Sequence, residues 1–303
     1  MSVKKWTPDV VIYHAPCADG LGAAAVCRGH FPDANYIPMS YGTKIAKIAE
    51  AVTGKSVLMV DFSLKHAEML ELAAIAASVV VLDHHKTAWA ELEPFCHGWV
   101  PHYNIYGAFN KLMHEGKPAV IAIFDMDRSG AGMAWDWLNP GARRPVAVDL
   151  IEDRDLWRFN FGNESRELHA YIQTFGKEID DVRALVLRSN INDELAEGNA
   201  ILKAHDANIQ KVLAHAHDVA MDGHVVKAVN APYFMASDVG AELLKKYPAT
   251  PFAVIYSLSD KVIVSLRSED ARVDVSEVAK RRGGGGHRNA AGFSVESAYI
   301  TVL

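Results

Sequence analysis

The 303 residues are half apolar and 22% charged, enough to bury a sizeable core and to build two domains. The longest weakly polar run, Leu72 to Leu82, is too short to cross a bilayer, and Met1 to Trp6 lack the apolar core of a secretion signal. Three cysteines in no paired pattern (Cys17, Cys27, Cys96) imply a reducing, cytoplasmic setting, and a net charge of −6 without a dense Lys/Arg block favours a small anionic substrate over a long nucleic acid.

Asp9 to His14 reads as a short apolar strand ending on an imidazole. The loop Ala15-Pro16-Cys17-Ala18-Asp19-Gly20 follows, then an Ala-rich helical stretch, Leu21 to Arg28. Gly20 and Gly22 lack the third glycine of a dinucleotide fingerprint, so that reading is set aside. Asn35 to Met39 suits a second strand and Lys44 to Val52 a helix. Ser56 to Ser63 is a strand that reaches a carboxylate at Asp61, with Ser63 suited to cap a helix from Leu64 to Ala77. Ser78 to Leu82, all small or branched, reads as a fully buried strand that stops at Asp83-His84-His85. Strands joined by helices predict a parallel sheet, in which ligands gather beyond the strands' carboxyl ends. A turn satisfied by backbone groups explains any one of these strand ends. Three in succession ending in acid or imidazole point to a metal site.

Residues 86–118 read as an irregular excursion, one wall of a cleft, before the apolar run Pro118 to Phe124. Asp125 and Asp127 suit a turn. Ser129, with Gly130 and Gly132 at the start of a helix Met133 to Leu138, fits either an N-cap with close packing or an anion site. Pro145 to Trp157 reads as a helix carrying Glu152-Asp153-Arg154-Asp155 near its end, and 164–190 and 192–220 as helical. The last part has strands at His224 to Asn230, Phe252 to Ser257, Lys261 to Leu266 and Ala291 to Val295, with helices at Ser237 to Tyr247 and Val275 to Arg281. Between the last helix and strand lie Gly283 to Gly286, flanked by Arg282, His287 and Arg288. Glycines let a backbone approach an anion closely. Gly284, Gly285, Gly286 and His287, with Arg267 ending a neighbouring strand, are the expected phosphate pocket.

The expected fold is α/β in two domains: an N-terminal parallel-sheet α/β domain and a smaller C-terminal α/β domain joined by a helical linker. The boundaries are 1–190 for the metal-binding catalytic domain, 191–220 for the connecting helix and 221–303 for the substrate-binding domain. Collected strand-end groups (His14, Asp19, Asp61, Asp83, His84, His85 and, later, Asp153) suit hard or borderline divalent ions such as Mn²⁺, with Mg²⁺ or another divalent ion also compatible. Two ions about 3.5–4 Å apart can hold the attacking and leaving oxygens of a phosphoryl displacement. Asp83 or Asp61 could bridge them, and a metal-held hydroxide would serve as nucleophile.

The Asp83-His84-His85 triplet and the segment Gly283 to Gly292 (GGGGHRNAAG) together resemble the DHH phosphoesterases, a family of single-strand exonucleases, nanoRNases and cyclic-dinucleotide phosphodiesterases. Tyr13 to Gly20 looks like the family's first motif, Val60-Asp61 its second, and Ile151 to Trp157 its fourth; the likeness runs from His14 to Gly292. It implies a DHH domain followed by a DHH-associated C-terminal domain, with a two-Mn²⁺ cleft between them. By motif position His14, Asp19, Asp61, His84 and Asp153 would be ligands, Asp83 the bridging carboxylate, and His85 a group orienting a ligand or touching substrate. Asp83, His84 and His85 would form the catalytic set, and Arg267 and His287 would contact substrate phosphate. The first motif usually has an aspartate where this chain has Cys17. A thiolate there would favour softer ions, but Cys17 is expected to sit beside the site as a small apolar residue. Asp153 is preferred to Asp155 for its place after the apolar Val146 to Ile151 run.

The expected activity is hydrolysis of phosphodiester bonds in short oligonucleotides or linear dinucleotides. Single-strand exonuclease, polyphosphate or pyrophosphate hydrolase, and non-catalytic nucleotide sensor are the alternatives; a metal pair would argue against the last. The expected partner is the small phosphorylated substrate and not a membrane. The oligomeric state stays open, a homodimer included.

Overall fold

The computed structural model describes residues 5–259 and 261–296, so the first four and last seven residues of the expected domains lie outside the described residues. The chain divides into two compact units, residues 1–202 and 203–303.

The first unit runs β1 (Val10–His14), α1 (Ala18–His30), β2 (Asn35–Met39), α2 (Ala49–Val52), β3 (Ser56–Val60), α3 (His66–Ile75), β4 (Ser78–Asp83), α4 (Lys86–Glu91), α5 (Ile105–His114) and β5 (Val120–Phe124). Then come α6 (Gly130–Leu138), α7 (Val146–Asp155), α8 (Glu164–Phe175), α9 (Ile179–Val186) and α10 (Asn192–Leu213), the last continuing into the second unit. The strands pair in parallel in the order β2-β1-β3-β4-β5.

Period-two alternation decides what each face buries. Val11, Leu58, Val80, Leu82 and Ile121 enter one core with α1, α5, α6, α7 and α9, whereas Val10, Met59, Val79, Val81 and Val120 enter the other with α2 and α3. The strands β1, β3, β4 and β5 are therefore apolar along most of their length, as a sheet covered on both faces requires, whereas the edge strand β2 is partly exposed. Each fully buried Val or Leu contributes about 1.5–3 kcal/mol. Cores on both faces leave the carboxyl ends of the strands as the place for polar groups.

Several sequence expectations are corrected here. Residues 86–118 are not irregular: they contain α4 and α5, and α5 buries Ile105, Phe109 and Leu112 at helical spacing. Lys44 to Val52 is a short 3₁₀ turn, Ile45–Lys47, followed by α2. Ser63 caps nothing, because Lys65 is the N-cap of α3. The helix expected over 192–220 ends at Leu213, and His217–Met221 is a strand.

The second unit contains β6 (His217–Met221), β7 (His224–Asn230), α11 (Ala236–Lys246), β8 (Ala253–Leu258), β9 (Lys261–Arg267), α12 (Val275–Lys280), β10 (Gly285–Gly286) and β11 (Ala290–Glu296). Its sheet order is β10-β11-β9-β8-β7-β6, antiparallel except between β7 and β8. One face packs on α11 through Val239 and Leu243, the other on α12 through Val275 and Val278. Among the described residues no helix is long and apolar enough to cross a membrane.

Candidate metal centre

β1, β3 and β4 are adjacent in the sheet and run the same way, so the residues at their carboxyl ends meet. His14 ends β1, Asp61 follows β3, and Asp83 ends β4 with His84 and His85 behind it. Asp61 has φ 53°, the left-handed region that non-glycine residues rarely occupy. A strained backbone at the residue between two imidazoles is where such strain is expected to serve a site.

Asp61 is 1% exposed, and its Oδ1 lies 3.1 Å from His84 Nε2. Its Oδ2 faces His14 Nδ1 at 3.6 Å, and both atoms are buried without a hydrogen-bond partner. Asp19, in the first turn of α1, lies 3.7 Å from His84 Nε2. Its carboxylate accepts the N–H groups of Gly130 at 2.6 Å and Ala131 at 2.9 Å, at the N-terminus of α6. The anion that the Ser129-Gly130 turn holds is thus a side chain of the chain itself, and Ser129 also caps α6 by accepting from Gly132 N–H. Gly130 is needed there: a Cβ would stand 2.4 Å from that of Asp61.

Asp83, the expected bridging carboxylate, is fully buried. Its Oδ1 accepts from His84 N–H at 2.7 Å, His85 N–H at 3.2 Å and His85 Nδ1 at 2.7 Å, while its Oδ2 accepts from the Ser63 hydroxyl. Asp61 stands between the imidazoles of His14 and His84. The expected ligand Asp153 is turned to the chain that follows α7. Its carboxylate accepts from the backbone N–H groups of Asn160 and Phe161, tying down the turn after α7, whereas Asp155 lies 3.6 Å from His84 Nε2. Two residues along a helix point about 200° apart, so only one of the pair can face the cluster.

The charges interact strongly. Burial pushes the Asp19 carboxyl well up, and the Asp61 and Asp155 charges add to it. Burial also raises Asp155 against the pull of His84, with Asp61 adding to the rise. Burial would raise Asp61, but the His14 and His84 imidazoles outweigh it and hold its carboxyl well below the usual range. Burial opposes the charged form of His84, yet Asp61, Asp155 and Asp19 together raise its pKa well above the ordinary value.

In this unit three overlapping groups of potential ligands, His14-Cys17-Asp61, Asp19-His84-Asp155 and Asp61-Asp83-His84-His85, each have their donor atoms within 4.8 Å of one another. Crowded carboxylates and an orphaned carboxylate oxygen facing an orphaned imidazole nitrogen fit divalent cations.

In the second unit, Arg267 at the end of β9 donates to Ser237 Oγ at 2.8 Å and pairs in register with Ala290, so the turn holding His287 lies beside it. The glycines form an ordered edge rather than an open loop. Gly285 and Gly286 pair with β11, and a Cβ at Gly284 would stand 2.0 Å from Gly292 O. The flanking cations expected to serve a phosphate are matched internally. Arg282 donates to Asp222 at 3.0 Å, and Arg288 to Asp270 O at 2.9 Å.

Residues 233–300 match the DHHA1 domain family. The chain is 28% identical over 235 residues to oligoribonuclease NrnB of Bacillus subtilis, covering 74% of this chain and 55% of NrnB. It is 29% identical over 308 residues to an uncharacterized protein of Acanthamoeba polyphaga mimivirus, covering 94% of this chain and 67% of that protein. The chain thus spans between half and about two thirds of the length of these curated relatives. Its fold resembles that of RecJ from Thermus thermophilus, solved in complex with Mn²⁺, with a TM-score of 0.52 at 18% identity, covering 94% of this chain and 49% of RecJ.

Proposed function

We propose that the chain, a DHH phosphoesterase by its DHHA1 match and its likeness to NrnB, hydrolyses phosphodiester bonds of small phosphorylated substrates, short oligonucleotides or linear dinucleotides, with a pair of divalent ions, Mn²⁺ foremost. The observation that carries this reading is the set of overlapping ligand groups at the ends of β1, β3 and β4, with Asp61 3.1 Å from His84. When bound, the ions would supply Lewis-acid stabilisation of the charge that develops on the phosphoryl oxygens. The residues that would hold them are His14, Asp19, Asp61, His84 and Asp155, with Asp83 beside Asp61 and His84.

The remaining work falls to side chains. Asp83 fixes the ring of His85 through Nδ1, so that His85 can touch a substrate oxygen in one defined orientation. The α6 amides hold Asp19 in place before any ion arrives. Arg267 and the turn carrying His287 would contact a substrate phosphate. The oligoribonuclease name of NrnB and the net charge of −6 both support short oligonucleotides. In this reading the protein works in the cytoplasm, and a homodimer is compatible with it.

The test is Mn²⁺-dependent hydrolysis of 5′-phosphorylated oligonucleotides, from dinucleotide to long single strand, with Asp61→Asn as control. Rates should fall steeply with length, and Asp61→Asn should cut them by about 100-fold or more. Rates rising with length would favour an exonuclease. Cleavage of polyphosphate but of no oligonucleotide would overturn the proposal.

A further inference from the structure

Two of the ligand groups differ in chemistry. Asp19-His84-Asp155 offers nitrogen and carboxylate oxygen, whereas His14-Cys17-Asp61 adds a sulfur. Cys17 Sγ lies within 4.8 Å of donor atoms of His14 and Asp61. Independently of the cysteine, Asp61 Oδ2 and His14 Nδ1 are buried, lack hydrogen-bond partners and face one another. An ionised oxygen left so is costly unless a cation completes it.

Cys17 is the N-cap of α1, a helix of 13 residues, so the sulfur stands just past the carboxyl end of β1, beside these two atoms. Cys27 is fully buried in the apolar core, and Cys96 donates to Leu92 O. Neither belongs to the groups of potential ligands found among the described residues.

We propose that Cys17 is a thiolate ligand of the metal position it shares with His14 and Asp61, so that the two positions are chemically unequal and this one prefers Co²⁺, Fe²⁺ or Zn²⁺ to Mn²⁺ or Mg²⁺. The inference rests on the metal-dependent reading above and assigns a selectivity within it. Binding replaces the S–H bond by a sulfur–metal bond and releases one proton to solvent, with no change of oxidation state. Mixed nitrogen, sulfur and oxygen sets hold borderline ions better than hard ones.

The experiment is titration of the chelator-stripped full chain with Co²⁺, followed by absorbance. Wild type should develop a near-ultraviolet sulfur-to-cobalt charge-transfer band together with the visible d–d bands, and Cys96→Ser should keep both. Cys17→Ser should lose the charge-transfer band while keeping d–d absorption. Cys17→Asp should also lack the band and move the Mn²⁺/Co²⁺ affinity ratio toward Mn²⁺ by about tenfold or more. Cobalt binding to wild type without the charge-transfer band would overturn the thiolate assignment and leave the metal reading standing, as would a band that persists in Cys17→Ser. Absence of any cobalt absorption and of any binding heat would overturn both.

Discussion

Asp19 is held by Gly130: the carboxylate accepts the Gly130 N–H at 2.6 Å, and the Gly130 Cα stands where any side chain would strike the Asp61 Cβ. One glycine therefore positions two candidate ligands from different elements. Gly130→Ala should lower the stability of the metal-free protein by about 1–3 kcal/mol through overpacking. It should also weaken metal binding, measured by calorimetric titration. Gly107 in α5 is the control, since an added Cβ there meets nothing within 4 Å. Gly107→Ala should raise stability by about 0.5–1 kcal/mol and leave metal binding unchanged. Equal metal binding by Gly130→Ala and wild type would contradict the role given to this contact.

Asp153 and Asp155 separate a structural carboxylate from a candidate ligand two residues apart. Asp155→Asn should lose metal, read by elemental analysis of the dialysed protein, with little change in apo-protein unfolding. Asp153→Asn should keep metal and lower apo stability by about 1–3 kcal/mol, because its carboxylate accepts charge-assisted bonds from Asn160 and Phe161. The reverse pattern would restore Asp153 to the site.

These two residues also mark how far the sequence could be read. His14, Asp61 and Asp83 stand at strand ends that hydrophobic runs make visible, so the parallel sheet and most of the cluster were legible. Asp153 and Asp155 sit at the end of a helix whose rotation about its axis no local pattern records. The support of Asp83 is not legible locally, because the hydroxyl it accepts from, that of Ser63, comes from the neighbouring strand's loop, 20 residues earlier. β6 was missed because its side chains are mostly exposed, which erases the apolar alternation. Its signal was the turn: Asp222-Gly223, with φ 56° and 77°, is the dipeptide that two-residue hairpins favour.

Asp136 links Arg144, at 2.5 Å, to Arg128, at 3.1 Å, and Arg144 in turn pairs with Glu152 at 2.8 Å. Glu152 accepts the Ser129 N–H, so this chain of charges braces the N-terminus of α6 that holds Asp19. Burial raises the Asp136 carboxyl, but Arg144 and Arg128 outweigh it and hold it below its usual range. A depressed carboxyl contributes stability that is complete above the unfolded value, about 3.9, and is lost as pH falls through the folded one. Asp136→Asn should therefore be less stable than wild type at pH 6, by about 1 kcal/mol given the partial exposure. The gap should close toward pH 3 and below. Urea midpoints for both proteins at the two pH values check this, and a gap that widens in acid would contradict it.

Ser63 and Asp83 test what the fully buried carboxylate is for. Ser63→Ala removes the hydroxyl that Asp83 Oδ2 accepts from and leaves a buried anionic oxygen unsatisfied. The expected cost is about 1–3 kcal/mol of apo stability, with Ser63→Thr, which keeps the hydroxyl, nearer to wild type. Oδ1 still carries the His85 ring in Ser63→Ala, so kcat should fall far less than in Asp83→Ala, where nothing orients His85 and a loss of about 100-fold is expected. Stability measured by denaturant unfolding and kcat measured on a dinucleotide would then move independently in the two variants. If Ser63→Ala lost as much kcat as Asp83→Ala while unfolding like wild type, Ser63 would belong to the chemistry and not to the support of Asp83.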